Sequence, residues 1–170
     1  MVFVRLAGCN LNCHFCDTKY AFAPGVEMAE QEIVAQAKSF EAPWVCITGG
    51  EPFLQDLRLL ANLLRKEGLK LQIETNGTLF QEVESDFLVV SPKDELKPSV
   101  EMLKRADEIK LIIDSEEALA RTGEFEAWGT YHSVQPENNR EDMVKLCVEF
   151  VKAHPAWRLS MQMHKLIGID

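Results

Sequence analysis

Cys9, Cys13 and Cys16 lie in one short run, Cys9-Asn10-Leu11-Asn12-Cys13-His14-Phe15-Cys16, and they are the residues here best suited to chemistry. Three residues separate the first pair and two the second, so three thiolates can converge on one soft metal centre. A four-iron four-sulfur cluster normally takes four protein ligands. Three would leave one iron open, much as a catalytic zinc keeps one open position, and an open iron can bind and reduce a substrate or cofactor. The same spacing admits a zinc knuckle, with His14 or a distant group as fourth ligand. Cys46, in Trp44-Val45-Cys46-Ile47-Thr48, and Cys147, on the apolar stripe of a helix, read as small core residues.

The other unusual polar residues gather where predicted strands end. Apolar, β-rich runs predict strands over 2–6, 44–48, 70–74, 87–90, 109–113, 131–135 and 157–162. Several are continuously apolar, as strands covered on both faces tend to be. The cysteine loop follows the first strand and Thr48-Gly49-Gly50-Glu51-Pro52 the second. Glu74-Thr75-Asn76-Gly77-Thr78 follows the third and Ser91-Pro92-Lys93 the fourth. Gln135-Pro136-Glu137-Asn138 follows the sixth and Gln162-Met163-His164-Lys165 the last. In parallel α/β folds the carboxyl ends of the strands form the ligand-binding face.

Gly49 and Gly50 let backbone approach a ligand closely, and a bare carbonyl or Glu51 could accept from an ammonium group; two glycines before a helix are equally ordinary turn chemistry. Asn76-Gly77 is a common turn dipeptide. Ser91-Pro92-Lys93 offers a hydroxyl, a fixed bend and a cation. Of the histidines, His164 is placed to line a site; His132 and His154 read as structural, and His14 as a surface or core residue.

Amphipathic helices stand between the strands. One near 29–40 carries Ile33, Ala37 and Phe40 on one face. Another, over 56–66, aligns Leu57, Leu60, Ala61 and Leu64, with Asp56 suited to its N-cap and Gly68 to its exit. A third, over 140–153, aligns Met143, Leu146, Cys147, Phe150 and Val151, with Asn139 as N-cap and Pro155 beyond its end. The segment 115–127 has a weaker helical pattern. Alternating strands and helices imply a parallel sheet with right-handed crossovers. The predicted fold is α/β: an incomplete TIM-like barrel of about six or seven β/α units in a single domain, 1–170. A flat doubly wound sheet is the competing architecture.

The chain has 170 residues and a formal net charge of −9. It has no Lys/Arg-rich run, which argues against a nucleic-acid groove. No apolar run approaches the roughly 20 residues of a membrane span, and the amino end is too short for a signal peptide. A cytoplasmic location is therefore expected, where clustered cysteines mean metal or catalysis rather than disulfides.

Taken together, these motifs resemble the 7-carboxy-7-deazaguanine synthase branch of the radical S-adenosylmethionine superfamily. The matching stretches are Phe3-Val4-Arg5-Leu6-Ala7-Gly8-Cys9-Asn10-Leu11, Cys16-Asp17-Thr18, Thr48-Gly49-Gly50-Glu51-Pro52, Glu74-Thr75-Asn76-Gly77-Thr78, Ser91-Pro92-Lys93, Gln135-Pro136 and Arg158-Leu159-Ser160 with Gln162 and His164-Lys165. The cysteine spacing marks only the superfamily; Cys16-Asp17-Thr18, Ser91-Pro92-Lys93 and the tail are more specific.

The resemblance implies conversion of 6-carboxy-5,6,7,8-tetrahydropterin to 7-carboxy-7-deazaguanine with loss of ammonia, a step towards deazapurine nucleosides such as queuosine. A reduced [4Fe-4S] cluster on Cys9, Cys13 and Cys16 would cleave S-adenosylmethionine to a 5′-deoxyadenosyl radical, which would take a hydrogen atom from C6 of the pterin. Phe15, Cys16, Asp17, Gly50, Glu51, Gly77, Ser91, Pro92, Lys93, Gln135, Pro136, Glu137 and Asn138 would flank S-adenosylmethionine. Thr18 would contact Mg²⁺, Arg5 would grip the substrate carboxylate, Thr75 would touch the pterin, and the carboxyl-terminal end near Asp170 would close the pocket. A flavodoxin-like electron donor and a homodimer are implied as partners. Family members usually carry a leading strand and a Gln-Gly-Glu-Gly-type segment before the stretch that begins here at Met1, and that segment helps hold the pterin. Either the chain is truncated or naturally minimal, or another element supplies those contacts.

Two rivals remain. A glycyl-radical activase would share the cluster but would not predict Cys16-Asp17-Thr18 or a tail of Gln162, His164 and Lys165. A non-catalytic zinc-binding module would hold one zinc and no sulfide.

Overall fold

The computed structural model describes residues 1–168. Seven parallel strands form one open sheet in chain order: β1 (Val2–Leu6), β2 (Trp44–Gly49), β3 (Lys70–Thr75), β4 (Phe87–Val90), β5 (Glu108–Ile113), β6 (Tyr131–Pro136) and β7 (Trp157–Leu159). The order never reverses, so there is no switch point and the doubly wound alternative is excluded. Right-handed crossovers in constant order lay the helices along one face, as in a barrel that has not closed.

Six strands match their predicted bounds to within one residue, because short β-branched runs between turn signals are local features. The seventh stops at Leu159 rather than 162, and the chain turns instead into the helix α6 (Met163–Ile167).

The core lies between the sheet and α1 (Glu30–Ser39), α2 (Arg58–Lys66), α3 (Val100–Arg105), α4 (Glu116–Ala120) and α5 (Glu141–Ala153). Burial is continuous over the central residues of β2 and over the end of β4, but it alternates in β1, β3 and β5. Leu71 and Ile73, then Ile109, Leu111 and Ile113, face the helices. The opposite face is polar, and there Lys110 Nζ pairs with Glu74 Oε2 at 2.8 Å while Gln72 Nε2 donates to Glu74 Oε1 at 3.0 Å. An open barrel's inner face therefore carries charge, where a sheet covered on both sides could not.

The helices depart from expectation at their ends. α2 begins at Arg58 with Leu57 at the cap, and Asp56 accepts from Arg58 N at 3.0 Å. Arg140, not Asn139, caps α5. Segment 115–127 splits into α4, capped by Ser115, and a 3-10 turn over Arg121–Glu124. The short α3 escaped prediction; Ser99 caps it by accepting from Met102 N at 3.2 Å.

Candidate active site

β1 delivers the cysteine loop to the carboxyl edge of the sheet, and the Thr48–Pro52 turn locks it there. Gly50 N donates to Leu6 O at 3.0 Å and Glu51 N to Gly8 O at 2.8 Å. A Cβ on Gly49, at φ +137°, would stand 2.1 Å from Leu6 O, and one on Gly50 would stand 1.9 Å from Gly8 O. The sequence leaves open whether these glycines admit a ligand or serve the turn. The room they make is filled by the neighbouring loop's backbone, so both are required for loop to pack on loop.

Within the loop Cys13 is buried, Cys9 and Cys16 are half-buried, and all three are free thiols. Cys16 N donates to Cys13 O at 3.1 Å, and Leu11 N lies 3.5 Å from Cys9 Sγ. Burial raises the Cys9 thiol above its usual range. Burial, and then Glu95, whose carboxylate accepts from Cys13 Sγ at 3.3 Å, push Cys13 up to about 12. Ligation therefore has to release protons. Among the described residues no three His, Cys, Asp or Glu side chains surround a single point. A cubane cluster does not need that, because it presents a different iron to each thiolate. Three reduced thiols in one short loop fit such a cluster. His14 Nε2 lies 2.9 Å from Asp114 Oδ2 at the end of β5, so this imidazole is engaged away from the cysteines.

Glu51 ties three loops together. It is fully buried. Its Oε1 accepts from Phe53 N at 3.0 Å and from the Thr75 hydroxyl at 2.7 Å, and its Oε2 accepts from Asn76 N at 2.7 Å. Burial, outweighing these donors, holds its carboxyl above the ordinary range. Both oxygens are engaged by the protein, so Glu51 anchors the loops. Thr75 is likewise buried, its hydroxyl bonded to Glu51 and accepting from Gly77 N at 3.0 Å. Above them Asn76 Nδ2 donates to Asn10 Oδ1 at 2.9 Å, and Asn10 Nδ2 to Thr78 Oγ1 at 2.8 Å. Asn10, which ties the cysteine loop to the turn after β3, and Glu95, which meets Cys13, are contacts of the loop that the sequence did not single out. Asn10 could have been noticed for its place inside the cysteine run, whereas nothing local marks Glu95.

Lys93, on the loop after β4, sends Nζ to Ser91 Oγ at 2.6 Å and over the Phe15 ring at 5.8 Å, beside the buried Pro92. Burial, with Lys110 adding repulsion, pulls this amine down to about 8.

The Cys16-Asp17-Thr18 end of the loop meets the tail. Thr18 Oγ1 donates to Asp17 Oδ1 at 2.9 Å, leaving the hydroxyl lone pairs free for a hard cation. Asp17 Oδ2 accepts from Gln162 Nε2 and, at 3.2 Å, from Lys165 Nζ. Burial opposes ionisation of Asp17, but the Thr18, Lys165 and Gln162 donors prevail and hold it below its usual range. Lys165 Nζ also reaches Asn138 Oδ1 at 2.5 Å. Gln135 Oε1 accepts from Ser160 Oγ at 3.3 Å, and Glu137 binds Arg140 at 3.1 Å. His164 is exposed on α6. Arg5 lines a cleft of about 230 Å³ with Tyr20 and Pro24, its guanidinium 5.9 Å from the Tyr20 ring. Asp170 lies outside the described residues. A larger cleft, about 600 Å³ between Leu54 and Glu82, contains none of the predicted residues.

Residues 3–128 match the family model for the Radical SAM superfamily. The 7-carboxy-7-deazaguanine synthase of Synechocystis sp. is 35% identical over 174 residues, covering 98% of this chain and 83% of that one. The enzyme of the same name from Bacteroides thetaiotaomicron is 37% identical over 169 residues, covering 99% and 87%. The chain belongs to the 7-carboxy-7-deazaguanine synthase family. The crystal structure of QueE from Escherichia coli superposes on it with a TM-score of 0.82 at 30% identity, covering 94% of this chain and 84% of that one. Membership makes it a radical S-adenosylmethionine lyase with a [4Fe-4S] cluster, and the activase and zinc-module readings are set aside.

Proposed function

We propose that this chain converts 6-carboxy-5,6,7,8-tetrahydropterin to 7-carboxy-7-deazaguanine with loss of ammonia. When bound, the cluster and S-adenosylmethionine supply one-electron chemistry that generates a hydrogen-abstracting radical. The protein's own part is to hold, orient and exclude water. Cys9, Cys13 and Cys16 hold the cluster. The Lys93 ammonium, with Phe15, Asp17, Ser91, Gln135 and Asn138, faces the S-adenosylmethionine. Arg5 grips the substrate carboxylate with its bidentate fork. Thr18 supplies one oxygen to Mg²⁺, an ion that keeps waters and substrate oxygens in its octahedron. Glu51 and Thr75 act beneath the site, fixing the three loops that carry these groups. Among the described residues no helix is long and apolar enough to cross a membrane. A cytoplasmic homodimer reduced by a flavodoxin-like donor fits this reading.

The observation that carries the proposal is the joint anchoring of the cysteine loop to the turns after β2 and β3, through Gly50, Glu51 and the Asn10–Asn76 pair. The test is turnover of the carboxypterin by reconstituted, reduced protein without oxygen. The expected product is the carboxydeazaguanine, identified by mass. Deoxyadenosine formation with no deazaguanine would overturn the substrate assignment.

A further inference from the structure

The tail is bound to the cysteine loop and to the turn after β6 through Gln162 and Lys165. Gln162 is gripped through its backbone: Asn139 Nδ2 donates to Gln162 O at 2.9 Å, and Gln162 N donates to Asn139 Oδ1 at 3.1 Å. Asn138 and Asn139 both adopt left-handed backbone, at φ 48° and 52°, a conformation that asparagine takes more readily than other non-glycine residues. From this fixed point the Gln162 side chain crosses 145 residues of sequence to donate Nε2 to Asp17 Oδ2. Ionised Asp17 can only accept, so the amide orientation is set: Nε2 faces Asp17 and Oε1 faces away. That Oε1 is the one buried side-chain polar atom among the described residues that finds no donor. Buried acceptors seldom lack a donor, and such an orphan marks a missing water, ion or ligand.

Asp17 links this tail to Thr18. Its Oδ2 takes Gln162 and Lys165, and its Oδ1 takes the Thr18 hydroxyl proton. Donating that proton turns the lone pairs of Thr18 Oγ1 outward. A hydrated divalent cation on Thr18 would carry waters, which are strong donors, into the neighbourhood of Asp17 and Gln162. Groups bonded to metal ligands orient them and change affinity by about 10- to 100-fold.

We propose that Gln162 and Lys165 are positioning residues for the magnesium site. Both fix Asp17, which in turn aims Thr18, and the Gln162 amide oxygen accepts from a water that the cation brings. This rests on the reading of Thr18 as the Mg²⁺ ligand.

Manganese, followed by its electron paramagnetic resonance signal, probes the site in protein holding S-adenosylmethionine and carboxypterin, with the cluster left oxidised so that nothing turns over. Displacement by Mg²⁺ identifies the specific ion. Gln162→Leu and Lys165→Met should each weaken manganese binding about tenfold or more, with iron and sulfide content unchanged. In steady state each should regain most of its kcat at raised Mg²⁺, which a variant damaged only in folding would not do. Affinity equal to the parent in both variants, or lost kcat that no Mg²⁺ concentration restores, overturns the tail's role and leaves Thr18 in place. A parent protein with no displaceable manganese removes the Thr18 reading itself, and the positioning role with it.

Discussion

Lys93 shows how a single side chain joins burial to chemistry. Its amine is drawn from 10.5 to about 8 because burial disfavours the charged form and Lys110 adds repulsion. A lysine lowered in the folded state weakens folding most below its folded value, and the penalty fades as pH rises from about 8 towards 10.5. Lys93→Met should therefore raise the melting temperature of the cluster-free protein at pH 7, with the gain shrinking above pH 8. If Lys93 faces the cofactor as proposed, the parent's affinity for S-adenosylmethionine, measured calorimetrically on reconstituted protein, should decline as pH passes 8, and Lys93→Met should bind more weakly without that decline. Glu51 is the opposite case, a buried carboxylate on which three protein donors converge. Glu51→Gln presents an amide N–H to one of those donors and leaves buried groups unpaired, at a cost of about 1–3 kcal/mol. Urea unfolding of the cluster-free protein measures it, and an unchanged midpoint would contradict the anchoring role.

At the scale of elements, the contact between the ends of β1 and β2 decides whether the cysteine loop is presented correctly. Gly50→Ala places a methyl where Gly8 O stands, 1.9 Å away, and backbone on both sides leaves little room to yield. The turn must move, carrying Glu51 N away from Gly8 O. The expected outcome is protein with its circular dichroism largely retained but a much reduced iron and sulfide content after reconstitution. Gly68→Ala is the control, since nothing lies within 4 Å of its Cβ position, although its φ of +77° carries a modest backbone cost. The strands and longer helices were legible in the sequence because their signals are local: β-branched runs, an i, i+3, i+4, i+7 stripe, a glycine at an exit. Their ends were less so. Asn139 has the composition of an N-cap but bonds instead to Gln162, and a partner so far along the chain leaves no trace in the local pattern.

For the whole molecule, Cys147 lies in the core beneath the helices and Cys46 on the opposite face of the sheet, beside Glu74 and Lys110; both are fully buried, and burial pushes their thiols to about 11 and about 12. Neither should react with an alkylating reagent until global unfolding, whereas half-buried Cys16 should label in the folded, cluster-free protein. Pulsed labelling across a urea gradient, read by mass, should show Cys46 and Cys147 becoming reactive together at the optical midpoint. Separate transitions would argue against a single cooperative unit.

By itself the sequence determined the repeating strand–helix order, the thiol spacing that suits an iron–sulfur cluster, and the concentration of unusual polar residues after strands. All of these are written in runs of a few residues, where backbone preference and side-chain period act directly. Tertiary structure alone decided which of those residues hold the scaffold together. Glu51 became an anchor, Gly49 and Gly50 became packing requirements, His14 turned to Asp114, and the tail closed onto Asp17. Each outcome depends on a partner remote in sequence or on another loop, brought near only when parallel strands stack side by side and collect their ends along one edge.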